Sequence, residues 1–328
     1  MRFRCFALVS AAAAVFGVMV LAPVSSSAQQ KTAPPLTAWG APDLTGVWDF
    51  RSLTPMERPT GLKDKDSFAS AEEAETFSQE TIKKKSRDTD TSGRVVPYND
   101  FWFDEGTKVT TKRTSLIVDP PDGRMPALTS EAEKKRAAQR EVRKGVGPDE
   151  PAPGQWVRDL SPQVRCIVGF NSGPPMNSSA YNNNVQIFQT RDYVAIMTEM
   201  VHDARIVPLD TRPHVAQSVR QWMGDSRGHW EGQTLVVETT NFRPERTPFN
   251  GSENTRLVEK FTRTDRGTLV YEVTVTDPAT WTKPWTFNLP MAYSKDPMYE
   301  FACHEGNYGL YNILSAAGKA VAKKTESR

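Results

Sequence analysis

From residue 184 onward the chain alternates between apolar and polar positions. VQIFQT, YVAIMTEMVHDARIV, TLVVETTNF, RLVEKFTRT, TLVYEVTVTD, WTFNLPMAY and MYEFACH are rich in β-branched and aromatic residues and are separated by Gly, Pro, Asn and Asp. That is the pattern of successive strands joined by turns. Few helical segments fall between them, so sequence neighbours pair antiparallel. The predicted fold is mainly β, an antiparallel barrel-like sheet or a sandwich with peripheral helices. The period of two also assigns faces. Tyr271, Val273 and Val275 point inward, with Glu272, Thr274 and Thr276 on the other side. The same reading puts His202 with Ile196, Met200 and Ile206 in an apolar interior. It puts Glu300 and His304 on one face, opposite Tyr299, Phe301 and Cys303.

Ahead of residue 150 the pattern turns helical. SAEE at 70–73 has capping-box spacing and predicts a helix over 70–85; SEAE at 130–133 predicts a second over 130–145, closing at Gly145. Both are polar on most sides and belong on the surface. Between them a short strand at 114–118 is broken by DPPDG, and the Pro- and Gly-rich residues 145–163 form an internal loop.

Within WMGDSRGHWEGQTLVVETTNF, residues 222–242, Glu231-Gly232 has the spacing of a tight hairpin. Asp225 can bond its own backbone and Arg227 can brace the loop through a carboxylate. Scaffold is therefore the expected role of this charged knot, with a catalytic Asp–Arg pair as the competing one.

The first 28 residues place two arginines before an apolar run and then Ser26 and Ala28 at cleavage spacing. This is the form of a secretory signal peptide cleaved near Ala28, which implies a periplasmic or secreted protein. Residues 29–43 read as an extended leader, and 44–328 as a single β-rich domain with helical insertions. No later apolar run reaches the roughly 18 residues a membrane span needs. The chain holds 41 Lys and Arg against 39 Asp and Glu, and cleavage of the signal peptide removes Arg2 and Arg4, so the mature chain is neutral. KKKSR at 83–87 is the densest basic run and reads as a solvated helix end. Nucleic acid is excluded as a partner on this charge pattern. Cys166 and Cys303 remain after processing, and two cysteines in an oxidising compartment predict a disulfide. The competing reading is a catalytic thiolate at Cys303, next to His304.

The chain has four histidines and carries no HExxH, CxxC, GxSxG, P-loop or dinucleotide fingerprint. The densest ionisable stretch in an apolar frame is EMVHDARIVPLDTRPH, residues 199–214. Buried charges must pair or shift their pKa. Either Arg205 bonds Asp203 or Asp210 and His202 is a satisfied core histidine, or His202 meets Glu300 or His304 as an acid–base pair. Residues four apart on a strand stand roughly 13 Å apart, so Glu300 and His304 do not chelate one ion without a bend; His202 with His304 from neighbouring strands is the competing metal pair, and the leading expectation is neither a metal nor another cofactor. Trp281, Trp285, Tyr299 and Tyr308, with Asn307, pack the core or stack on a ligand.

TGVWDF, GDSRGHWEGQTLVVETTNF, DPATWTKPW and YEFACHEGNY resemble the motifs of an uncharacterised family of exported bacterial proteins, over nearly the whole mature chain. The resemblance implies membership and no particular reaction. Gly46-Val47-Trp48 followed by hairpins also resembles the opening of lipocalin-like barrels, from which the helical insertions depart. The leading expectation is an exported enzyme, a lyase, isomerase or hydrolase, acting on a small neutral substrate such as a carbohydrate or aromatic compound. His202 and His304 would transfer protons, Glu300 would orient one of them and Arg205 would balance negative charge. A small-ligand-binding protein without catalysis and a cell-envelope interaction module are the alternatives.

Overall fold

The computed structural model describes residues 33–62, 64–88, 99–146 and 160–326. The predicted signal peptide, the first residues of the predicted leader and most of the predicted loop after residue 146 lie outside the described residues. The fold is mainly β. Its strands are β1 (Gly46–Asp49), β2 (Ile117–Asp119), β3 (Asn184–Gln189), β4 (Tyr193–Thr198), β5 (Ala204–Pro208), β6 (Asp225–Glu231), β7 (Thr234–Thr240), β8 (Arg256–Arg263), β9 (Thr268–Thr276) and β10 (Trp285–Ser294). All belong to one antiparallel sheet in the order β5-β4-β3-β1-β10-β9-β8-β7-β6, with β2 paired to β10.

The sheet is not closed by hydrogen bonds, yet it curls until its two edge strands touch. Arg205 of β5 reaches Ser226 of β6, and a Cβ on Gly228 of β6 would stand 2.8 Å from Val207 and 2.9 Å from Leu209. A side chain at 228 would therefore hold the edges apart. Inside lie Tyr271, Val273 and Val275, all fully buried, with Leu257, Phe261, Trp285, Phe287 and Leu289. Trp48 closes this core under Arg263, whose guanidinium stands 4.9 Å above its ring.

Two predicted features change in the structure. Even-numbered residues of β4 (Val194, Ile196, Thr198) face inward, but odd-numbered ones of β5 (Arg205, Val207) do. The intervening 3-10 turn Met200–His202, with φ of 64° at Val201 and 44° at His202, shifts the phase by one residue. It sends Arg205 into the interior and leaves Ile206 and His202 exposed. MYEFACH forms no strand, because β10 already pairs with β1 and β9. Its residues run as irregular chain that bends at Cys303, with the Cys303 amide donating to the Phe301 carbonyl, and a disulfide joins Cys303 to Cys166.

The helices are peripheral. α1 (Ala71–Lys85) is capped by Ser70, whose hydroxyl accepts from the Glu73 amide. α2 (Ser130–Val142) is capped by Thr129, one residue earlier than the sequence suggests. The reason is tertiary: Thr129 is pinned to the β9–β10 connection by its amide to the Thr280 carbonyl and its hydroxyl to the Ala279 carbonyl. A third helix, α3 (Tyr308–Glu326), follows the disulfide. Within the leader, Leu36 and Pro42 pair to close a small loop.

Candidate functional site

Turn lengths distinguish the two ends of the sheet. At one end β3–β4, β6–β7 and β8–β9 are joined by two to four residues. The hairpin at Gly232 (φ 59°) is the tightest of these turns, with Glu231 paired to Thr234. At the other end emerge the long β7–β8 and β9–β10 connections, and long loops on a rigid scaffold are where binding groups concentrate. A cleft of about 1280 Å³ opens there.

One wall of the cleft is α2, which presents Lys135, Ala138, Gln139 and Val142. Arg136 ties the helix to the opposite wall by donating to the carbonyls of Phe249 and Asn250 at 3.3 and 3.4 Å. Leu160, Val168 and Phe170 supply apolar surface from the segment that leads into the sheet. The floor rests on the core, because the Phe249 ring stands 4.8 Å from that of Trp285. Beneath the β7–β8 loop, Asp277 accepts from the Ser252 amide and hydroxyl, the Ala279 amide and the hydroxyls of Thr255 and Thr280. Burial alone would raise its pKa, but these donors outweigh it and hold the carboxyl below the usual aspartate value. The cleft rim is thus fixed by side chain to backbone bonds.

Charge in the cleft is unbalanced. Its described lining holds five basic residues and two acidic ones, Glu131 and Glu245. Glu245 is engaged by Arg243, whose hydrogen bond lowers its pKa. Arg246 is half-buried and has no side-chain hydrogen bond or ion pair among the described residues. Burial alone acts on its titration, and lowers its pKa. Gln163, on the same lining, has a buried Oε1 without a hydrogen-bond partner.

The sequence-predicted residues are elsewhere. His202 is exposed, with Nδ1 3.1 Å from the Phe301 carbonyl, and His304 and Glu300 are exposed on the turns that follow β10. The inward placement of all three is corrected by the phase shift and the missing strand. Trp281 and Trp285 are core residues with ring centroids 5.7 Å apart, one layer behind the cleft. Tyr299 and Tyr308 are exposed, and Asn307 caps the start of α3 while its amide approaches Cys166 Sγ. The structure does not gather these residues into one site. Among the described residues no cluster of three or more His, Cys, Asp or Glu is placed to hold a metal, and no helix is long and apolar enough to cross a membrane.

Arg205 is buried as part of an unforeseen group. It meets Glu259 of β8, and the Tyr271 hydroxyl donates to the same carboxylate at 2.6 Å. Burial would lower the arginine's pKa, yet Glu259 holds it above its usual value; burial and then Glu259 push the phenol well up. Arg205 and Tyr271 are held in their protonated forms, and none of the three residues lines the cleft. Glu259 was accessible to sequence reasoning: it lies between Leu257 and Phe261 on the inward phase of β8. At the former knot, Asp225 accepts from Arg227 at 2.7 Å and also from His214 Nδ1 at 2.7 Å, which makes it a brace for the β5–β6 connection. No protein-family model matches this chain, and no curated protein or solved structure matches it either.

Proposed function

We propose that this protein is an exported small-molecule-binding protein whose ligand sits in the cleft between α2 and the β7–β8 loop. The observation that carries the reading is a cleft of about 1280 Å³ with a rim fixed by hydrogen bonds and apolar walls, at the end of the sheet that bears the long loops. Ligand sites favour this combination of concavity, apolar lining and a few convergent polar groups. Neither His202 nor His304 contributes to the lining, so binding rather than acid–base catalysis is the reading the geometry favours. Export rests on the signal-peptide pattern and fits a chain whose two remaining cysteines are joined. The likeness to the exported bacterial family is part of the same proposal.

The test fills the cleft without altering a charge. Ala138 lies on the exposed face of α2 and lines the cleft, so Ala138→Trp places an indole there. Purified mature protein would be screened by thermal shift against a panel of small aromatic, sugar and fatty compounds. Compounds that stabilise wild type and fail to stabilise Ala138→Trp support the reading; equal stabilisation of both proteins defeats it.

A further inference from the structure

We propose that the cleft selects organic anions, and that Arg246 is the residue that receives the ligand's carboxylate while the apolar walls hold its body. The inference rests on the binding role given above and adds the ligand's charge. A half-buried guanidinium is expensive to leave without a counter-charge. The buried arginines have acceptors within the fold: Arg205 donates to the Glu259 carboxylate, Arg58 to the Pro121 carbonyl, and Arg263 to the carbonyls of Asp43, Asp265 and Arg266. Arg246 has none among the described residues, and it faces the cleft. Glu245, its sequence neighbour, is held by Arg243.

The surroundings reinforce the same sign. Arg165 lines the same cleft and donates no side-chain hydrogen bond among the described residues; it lies 5.8 Å from the Trp222 ring centre. Lys135 on the facing helix has no hydrogen bond or ion pair among the described residues. An anion entering here meets Arg246 and Lys135, which have no partner among the described residues, and Arg165, which stands over Trp222. Arg246 offers the planar fork that matches a carboxylate with two parallel bonds. The rest of the ligand is specified by the opposite chemistry. Val142 and Phe170 are partly exposed apolar side chains on the wall, and Leu160 and Val168 back them. A small inorganic ion would leave this surface wet. A carboxylate with an aryl or alkyl body covers it, and Gln163 carries an unpaired amide oxygen for a donor substituent.

The experiment is calorimetric titration of the mature protein with benzoate and octanoate, and with benzamide and octanamide as uncharged counterparts. At low salt the carboxylates are expected to bind about tenfold or more tightly than the amides. Arg246→Gln should remove that advantage and leave amide binding unchanged, while Arg246→Lys, which keeps the charge but not the fork, should restore part of it. Equal affinity for acid and amide in wild type, or an Arg246→Gln protein that binds carboxylates normally, overturns the inference. So does the absence of carboxylate binding. Ala138→Trp separates the two readings: carboxylate binding that depends on Arg246 yet survives Ala138→Trp would keep the anion site and remove the cleft from it. Acid and amide binding of equal strength that Ala138→Trp abolishes and Arg246→Gln leaves alone would keep the cleft and remove the anion.

Discussion

Arg205 of β5 donates two hydrogen bonds to Glu259 of β8 across the inside of the sheet, Nη1 to Oε2 at 2.6 Å and Nη2 to Oε1 at 2.9 Å. Thr239 adds a donor to the same carboxylate at 3.1 Å, and Tyr271 links it to the backbone, accepting from the Met176 amide. The group therefore ties four strands to the segment that carries Pro175 into the cleft wall. Removing one member of such a pair strands the other charge in the core. Glu259→Ala is expected to lower the free energy of unfolding by about 3–5 kcal/mol, whereas the double change Arg205→Met, Glu259→Leu should recover most of that loss. Urea unfolding of the three proteins decides it; a single variant as stable as wild type would show that the pair carries no such constraint.

Asp277 gives the protein an acid-sensitive loop. Its pKa is depressed in the folded state, so its contribution to stability is fully present above the unfolded aspartate value of about 3.9 and is lost as pH falls through the lower folded value. Asp277→Asn should cost about 1.5–3 kcal/mol at neutral pH, since a carboxylate accepting from buried donors is replaced by an amide. The gap between wild type and variant should shrink below about pH 4. Unfolding curves between neutral pH and the acid limit check the sign; a gap that widens on acidification contradicts it.

Gly228 is where the edges of the sheet meet. A side chain there would press on Val207 and Leu209. Gly228→Val is expected to destabilise by about 1–3 kcal/mol through overpacking, and Val207→Ala in the same chain should relieve part of it. A lowered melting temperature that Val207→Ala does not raise would mean that the seam is not the site of strain.

Much of the fold was legible because alternation is a local signal. The inward set on β9, the capped helix at 71–85, the hairpin at Gly232 and the Cys166–Cys303 disulfide follow from spacing, turn chemistry and redox compartment. The misplaced residues share one cause. A five-residue connection between β4 and β5 contains two residues with positive φ, and neither Val201 nor His202 announces that conformation in its side chain. Once the phase slips by one, the interior receives Arg205 instead of His202. MYEFACH fails for a related reason: it has strand composition, but a strand needs an unpaired edge, and only the assembled sheet shows that β10 has none.

Sequence alone determined the class of fold, the helices at the surface and which cysteines pair, because each depends on residues close together in the chain or on composition. Tertiary structure alone decided that Glu259 answers Arg205, that Thr129 rather than Ser130 caps α2, and that Arg246 stands at a cleft without a partner. Those are relations between residues tens of positions apart, fixed by how the sheet curls and where its long loops fall. No periodicity encodes them.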